Sequence, residues 1–485
     1  MNHKMIGKII SLILLVEAAF LLPGMGLCLA DGDMDAALAF IYTIGITGVV
    51  SGALALWSRN TPRGFYAREG MVCVGVSWLC MSLLGCLPFF LSGEIPNYID
   101  ALFEMVSGFT TTGASILSDV EALPRGILLW RSFSHWIGGM GVLVFLLAIV
   151  PISGRSDGFT MHLLRAESPG PNVGKLVPRM RKTAMILYLL YIGLTLVNIV
   201  FLLIGKMPVF DALCTAFGTA GTGGFGIKND SIAGYSPYIQ NVCTVFMALF
   251  GVNFTCYYLL LLRQVKSVWK DEELRLYVGT MLGATALIVL NLRGLYPTLL
   301  ETIRHAAFQV SSIMTTTGYS TTDFDLWPSF SKTLLLGLMA MGACAGSTGG
   351  GFKCIRVLLL IKILKRNIFQ VLHPRRVDIV RVNDQRISSG VLESTNAYLA
   401  AYVIILIAST LIISLDEMPF TTNFTAVLSC FNNIGPGLEL VGPTCNFGGY
   451  GALSKLVLIA DMLAGRLEIF PMLALLTKNA WSKWN

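Results

Sequence analysis

The chain has 485 residues, 54% of them hydrophobic and 13% charged, with a mean hydropathy of +0.70 and a formal net charge of +7. A soluble domain carries about a quarter charged residues. This composition therefore excludes a soluble enzyme or a nucleic-acid-binding protein and points to a polytopic membrane protein, with its positive charge in the connections that set topology.

A membrane-spanning helix needs about 20 apolar residues. Residues 6–30 and 36–57 supply the first two. Lys4 and Lys8 ahead of the first run also suit a signal peptide, but no small-residue cleavage site followed by a soluble domain appears, so the run reads as a span. Four units of one design follow, each a span, a short helix with a loop, and a second span. Their spans are 71–91 and 128–150, 184–203 and 242–262, 276–292 and 334–364, 397–415 and 453–476. The expected fold is an all-α polytopic membrane protein with ten spans and four half-depth helices. It divides into an N-terminal helix pair (1–69) and four pore repeats (70–155, 156–265, 266–391 and 392–485) in pseudo-fourfold arrangement. The third repeat also carries a cytoplasmic connection. The basic clusters from Arg59 to Arg68, Arg155 to Lys182, Arg263 to Arg275, Lys365 to Arg386 and Lys478 to Lys483 all fall on one side of this layout. The positive-inside rule makes that side cytoplasmic. Asp31, Asp33, Asp119, Glu121, Asp323 and Asp416 fall on the other, where they would concentrate cations.

The loops repeat one another. Residues 107–115 read Ser-Gly-Phe-Thr-Thr-Thr-Gly-Ala-Ser, and 311–320 read Ser-Ser-Ile-Met-Thr-Thr-Thr-Gly-Tyr-Ser. Residues 220–225 read Ala-Gly-Thr-Gly-Gly-Phe, and 432–437 read Asn-Asn-Ile-Gly-Pro-Gly. Aligning Gly113, Gly223, Gly318 and Gly435 sets the four in register about 100 residues apart. In that alignment the second copy, counted from Asp211, is one residue short. Each copy opens near a proline (Pro96, Pro208, Pro297, Pro419), a residue favoured in the first helical turn.

Irregular backbone at membrane depth is tolerated only where it is buried in protein or lines a watery path. Backbone carbonyls there replace the hydration shell of an alkali cation, and the negative end of each short helix favours positive charge. The expected filter carbonyls are those of Thr111, Thr112 and Gly113; Gly221, Thr222 and Gly223; Thr316, Thr317 and Gly318; and Asn433, Ile434 and Gly435. Close helix packing through small residues explains one such motif better than four. Gly221-x-Gly223-x-x-Gly226 has the spacing of a dinucleotide fingerprint but opens no βαβ unit.

Two further features lie in the spans. Gly342, Gly346, Gly349, Gly350 and Gly351 crowd the second span of the third unit, at about 1 kcal/mol each against helix. They mark either a kink or a flexible segment beneath the filter. The last span holds Asp461, Arg466 and Glu468, and intramembrane charge is functional by default. Arg466 either pairs with one of these acids or stands in the pore, while Lys353 is expected to snorkel. The eleven cysteines and five histidines show no metal-ligand spacing.

With these residues the chain resembles the Trk/Ktr/HKT superfamily of potassium transporters, and within it the bacterial TrkH subunits. The matching stretches are 110–115, 222–226, 315–324, 346–353, 432–437 and Ala-Gly-Arg at 464–466. The resemblance implies potassium uptake across the bacterial inner membrane, with K⁺ in the filter and no bound cofactor. It also implies a homodimer and a TrkA-like cytoplasmic ring that carries the nucleotide and gates conduction. The loop at 342–351 becomes the gate and Arg466 the guard of the pore. Glycine in all four filters implies K⁺ over Na⁺. Gly221 and Asn433, standing where the other repeats have Thr111 and Thr316, imply a weaker deepest site. The competing class is a coupled secondary transporter (Na⁺/K⁺ or H⁺/K⁺ symport, or an organic solute), which binds at broken helices near the midplane. No nucleophile–base pair suggests an enzyme.

Overall fold

Two long apolar helices, His3–Asp31 and Met34–Trp57, open the chain. Gly32 caps the first in the left-handed region (φ 79°), and the Asp33 carboxylate accepts from the Ala36 amide at 3.1 Å to start the second. The pair is locked by reciprocal bonds: Ser11 Oγ donates to the Ser51 carbonyl (2.9 Å) and Ser51 Oγ to the Ser11 carbonyl (2.7 Å). Of the first helix's most apolar stretch 61% is buried, against 22 to 28% for the leading helices of units two to four. The first helix is therefore part of the inner wall, while those three lie at the periphery of the chain.

The computed structural model describes residues 1–59, 67–141, 180–373 and 379–481, and these are mostly helical. Their single strand pair, Arg381–Val382 with Gln385–Arg386, makes a small antiparallel hairpin with Arg381 opposite Arg386. Each unit has a leading helix: Ala67–Gly85 extended by Leu87–Leu91, Met180–Ile204, Glu272–Asn291 and Ser389–Ile413. The short pore helices are Tyr98–Phe109, Val209–Gly221, Leu299–Met314 and Phe420–Phe431.

The trailing helices of units one, two and four depart from the expected continuous spans, while that of unit three breaks where its glycines were expected to interrupt it. In unit two, Pro237–Phe250 and Phe254–Leu261 bend by 87° across Gly251 to Asn253. In unit three, Ser329–Met341 and Cys354–Leu372 are separated by an irregular loop, residues 342–353. In unit four, Ala452–Leu467 and Ile469–Leu475 break at Glu468 (φ 67°). In unit one, Arg125–Met140 stops at Gly141 (φ 78°). The rest of the expected span 128–150 lies outside the described residues, as do the unit boundary at 155 and the basic residues Arg63, Arg155, Arg165, Lys175, Arg179, Arg375, Arg376 and Lys483. Apolarity measures only whether a segment tolerates lipid. Gly141 and Gly342 (φ 71°) adopt backbone dihedrals that end a helix without steric penalty.

Candidate functional site: a ring of four helix ends

The pore helices begin on side-chain or proline caps. Asn97 accepts from the Ile99 amide (2.9 Å) and Thr298 from the Glu301 amide (3.2 Å), while Pro208 and Pro419 occupy the cap position itself. The prolines thus sit at or just before the cap rather than inside the first turn.

All four helices end in the same way. The amides of Thr111, Thr222, Thr316 and Asn433 bond back three residues. Those of Thr112, Gly223, Thr317 and Ile434 bond back five, to Ser107, Gly218, Ser312 and Ser429, at 2.8 to 3.0 Å. This pair of bonds is the Schellman motif, whose turning residue must be left-handed and is usually glycine. Here it is threonine three times (φ 56°, 55°, 59°) and asparagine once (φ 55°). A β-branched residue at positive φ is a genuine outlier, and such strain persists where the surroundings over-determine it, often at functional sites.

Two residues on come Gly113, Gly224, Gly318 and Gly435, with φ of 81°, 72°, 86° and 103°. A β-carbon on Gly113 would strike the carbonyl oxygen of Gly223, one on Gly224 that of Thr317, and one on Gly318 that of Ile434. A β-carbon on Gly435 would come within 2.9 Å of the Thr112 oxygen. Unit one therefore abuts unit two, two abuts three, three abuts four and four abuts one, all in the same sense. The loops form a closed ring, and the same four glycines line one outward-opening cavity with Ser115, Asn229, Ser320 and Asn446.

This ring corrects the expected register of the second loop. Gly221 is the last residue of its helix and matches Thr110, not Thr111. The equivalent triplet is Thr222, Gly223 and Gly224. With Gly224 in register the second copy is no shorter than the others, and Asn433 alone departs from threonine at the turning position. Three glycines among residues 221–224 concealed the shift, because residue type there does not reveal which one is left-handed.

The irregular loop of unit three lies against the inner side of the ring. The Gly350 amide donates to Thr316 Oγ1 (2.9 Å), and Gly350 and Gly351 pack on the side chains of Asn433 and Asn432. Asn433 Nδ2 in turn reaches Thr112 Oγ1 (3.0 Å) and the Met462 carbonyl (2.9 Å). Thr348 Oγ1 donates to the Phe250 carbonyl and the Cys344 amide to that of Gly251, which ties the loop to the bend of unit two. Arg466 donates to the carbonyls of Thr348 (2.6 Å), Gly139 (2.7 Å) and Gly138. Its guanidinium thus joins the loop to the helix end of unit one. The acids weighed as its partners are engaged elsewhere: Glu468 with Arg356 and Lys353 (3.7 Å), and Asp461 with Ser409 Oγ (2.8 Å). Lys353 turns inward to that pair, its side chain 14% exposed, rather than snorkelling as expected.

Three polar residues behind the ring went unread in the sequence. Arg131 and Glu104, both buried, pair at 2.6 Å. Glu104 also accepts from Ser115 Oγ (2.9 Å) and the Ile116 amide (3.0 Å), just past the first loop. Arg131 donates to the Gly226 carbonyl (2.8 Å) and lies 3.6 Å from the Phe225 ring centroid, just past the second. His135 bridges the same two units, with Nδ1 2.7 Å from the Gly108 carbonyl and Nε2 3.2 Å from the Phe225 amide. A backbone amide only donates, so Nε2 accepts and Nδ1 carries the proton. The signal was present: Glu104 and Arg131 are charges within apolar segments, which pair or function. Removing one partner of a buried pair costs about 3 to 5 kcal/mol, while replacing both is far milder. Arg131→Met alone is therefore expected to lower the thermal midpoint of the detergent-solubilised protein more than Arg131→Met with Glu104→Gln; a double variant no better than the single would remove the pair from this role.

The architecture defines an all-α, multi-pass membrane protein whose centre is a ring of four helix ends. The family model described as TrkH, a cation transport protein, matches residues 37–483. The chain belongs to this family, whose members are transporters of the bacterial inner membrane and not enzymes. It is 37% identical to the Trk system potassium uptake protein TrkH of Salmonella typhimurium, covering 99% of this chain and 100% of that one. It is 36% identical to the protein of the same name from Escherichia coli over the same shares. The crystal structure of the potassium transporter TrkH from Vibrio parahaemolyticus superposes with a TM-score of 0.88 at 32% identity, over 99% of this chain and all of that one.

Proposed function

We propose that this chain takes up potassium across the inner membrane through the ring, and that the backbone carbonyls of residues 111–113, 222–224, 316–318 and 433–435 are its selectivity filter. The observation that carries this reading is the closed cycle in which each loop's glycine abuts the next loop's carbonyl. Carbonyls held so closely replace the hydration shell of a dehydrated cation. The loop at 342–353 serves as the gate and Arg466 as its electrostatic guard. Both roles are supported by their position against the inner side of the ring. The chain works as a homodimer, with a TrkA-like cytoplasmic ring that binds the regulatory nucleotide; the Trk system names of its relatives support the partner ring.

The test is radioactive Rb⁺ uptake into proteoliposomes holding the purified chain, with K⁺, Na⁺ or Li⁺ as competitor. K⁺ is expected to block uptake and Na⁺ to leave it unchanged. Equal competition by Na⁺ would refute a potassium filter. Uptake only down a sodium or proton gradient would replace the pore by a symporter.

A further inference from the structure

The intramembrane loop has one attachment that the proposed gate does not yet explain. Glu273, in the first turn of the unit-three leading helix, is 6% exposed. A single oxygen of its carboxylate, Oε1, accepts from the Ala345 amide at 2.6 Å and from the Ile355 amide at 3.1 Å. Ala345 follows the first bend of the loop, and Ile355 lies in the first turn of the helix that resumes after it. One carboxylate from a different helix therefore fastens both ends of the irregular segment together.

The same turn is anchored on the cytoplasmic side. Asp271 accepts from Asn383 Nδ2 (2.8 Å) and caps the helix through the Leu274 amide (2.8 Å). Glu272 exchanges bonds with Asn383: its amide donates to Asn383 Oδ1 (2.9 Å), and its carboxylate accepts from the Asn383 amide (3.0 Å). It also pairs with Lys362. Three consecutive acids thus connect the cytoplasmic hairpin at 381–386 to the two ends of the loop.

We propose that Glu273 is the positioning residue that holds the intramembrane loop closed across the pathway, by clamping the Ala345 and Ile355 amides to one oxygen. This rests on the reading of residues 342–353 as the gate. Two hydrogen bonds to one oxygen give the closed loop an advantage that depends on an acceptor at this distance, not on a side chain of this size. Opening must break both bonds. A movement of the hairpin that displaces Asp271 and Glu272 pulls on the clamp through the adjacent residue.

The experiment compares Glu273→Ala, Glu273→Gln and Glu273→Asp in the full chain, with two readouts. The first is Rb⁺ uptake into proteoliposomes with K⁺ and Na⁺ as competitors. The second is hydrogen–deuterium exchange of peptides spanning residues 343–357, which reports the clamp whether or not the chain conducts. Glu273→Ala is expected to raise uptake about tenfold, the effect of about 1.4 kcal/mol, with unchanged ion preference and faster exchange at Ala345 and Ile355. Glu273→Gln keeps an acceptor oxygen and is expected to stay near wild type in both. Glu273→Asp, one methylene short, is expected to follow alanine, and it supplies the result if the alanine variant does not fold. Exchange in the alanine or aspartate variant equal to wild type overturns the clamp, as does a glutamine variant that behaves like alanine. Faster exchange without increased uptake overturns its role in gating. A changed K⁺ over Na⁺ preference with the clamp intact would count instead against the filter and gate assignments themselves.

Discussion

Gly113→Ser and Gly224→Ser are each expected to reduce the preference for K⁺ over Na⁺ by at least about tenfold in the competition assay, and by similar amounts. The two glycines hold equivalent corners of the ring, at φ of 81° and 72°. A side chain in that region costs roughly 1 to 2 kcal/mol in backbone strain. At both positions the added β-carbon also lands on a carbonyl oxygen of the next loop, Gly223 or Thr317. Each collision involves backbone on both sides, so no rotamer relieves it. The carbonyl must move away and the ring opens at that corner. Since about 1.4 kcal/mol is a factor of ten, a displaced ligand oxygen is enough to erase most discrimination. Unchanged preference in both variants would mean that these carbonyls do not bind the ion. An effect at Gly113 but none at Gly224 would undo the register derived from the ring.

Arg466→Ala is expected to raise Rb⁺ uptake about thirtyfold while leaving the K⁺ and Na⁺ competition as in wild type. A fixed unit charge about 8 Å from a passing cation at an effective dielectric of about 20 opposes it by about 2 kcal/mol, or roughly thirtyfold in rate. Arg466 is held in place by the carbonyls of Thr348, Gly138 and Gly139, which come from two different units. Lysine keeps the charge but not the planar fork that spans these carbonyls, so Arg466→Lys should give an intermediate rise. An alanine variant with wild-type uptake would place the guanidinium off the ion path.

Much of this was legible in the chain. The apolar runs give the all-helical, membrane-spanning class, because they reflect the local cost of placing residues in lipid. The four short helices and their loops were legible because proline, threonine and glycine constrain the backbone wherever they occur. The intramembrane charges at 461, 466 and 468 marked their own segment as exceptional.

Other features depended on contacts between distant segments. Gly221, Gly223 and Gly224 are equally permissive, and the choice of Gly224 rests on the closure of the ring against Thr317. Long apolar runs in the trailing helices concealed breaks at Gly251 and Glu468, since hydropathy records the solvent and not the dihedral angles; only the break at Gly342 was announced, by its crowd of glycines. Arg131 found Glu104, Arg356 found Glu468 and Glu273 found two amides of the loop. A buried charge requires a partner, but the requirement does not name it; the partner is whichever group the packed helices bring within hydrogen-bonding distance.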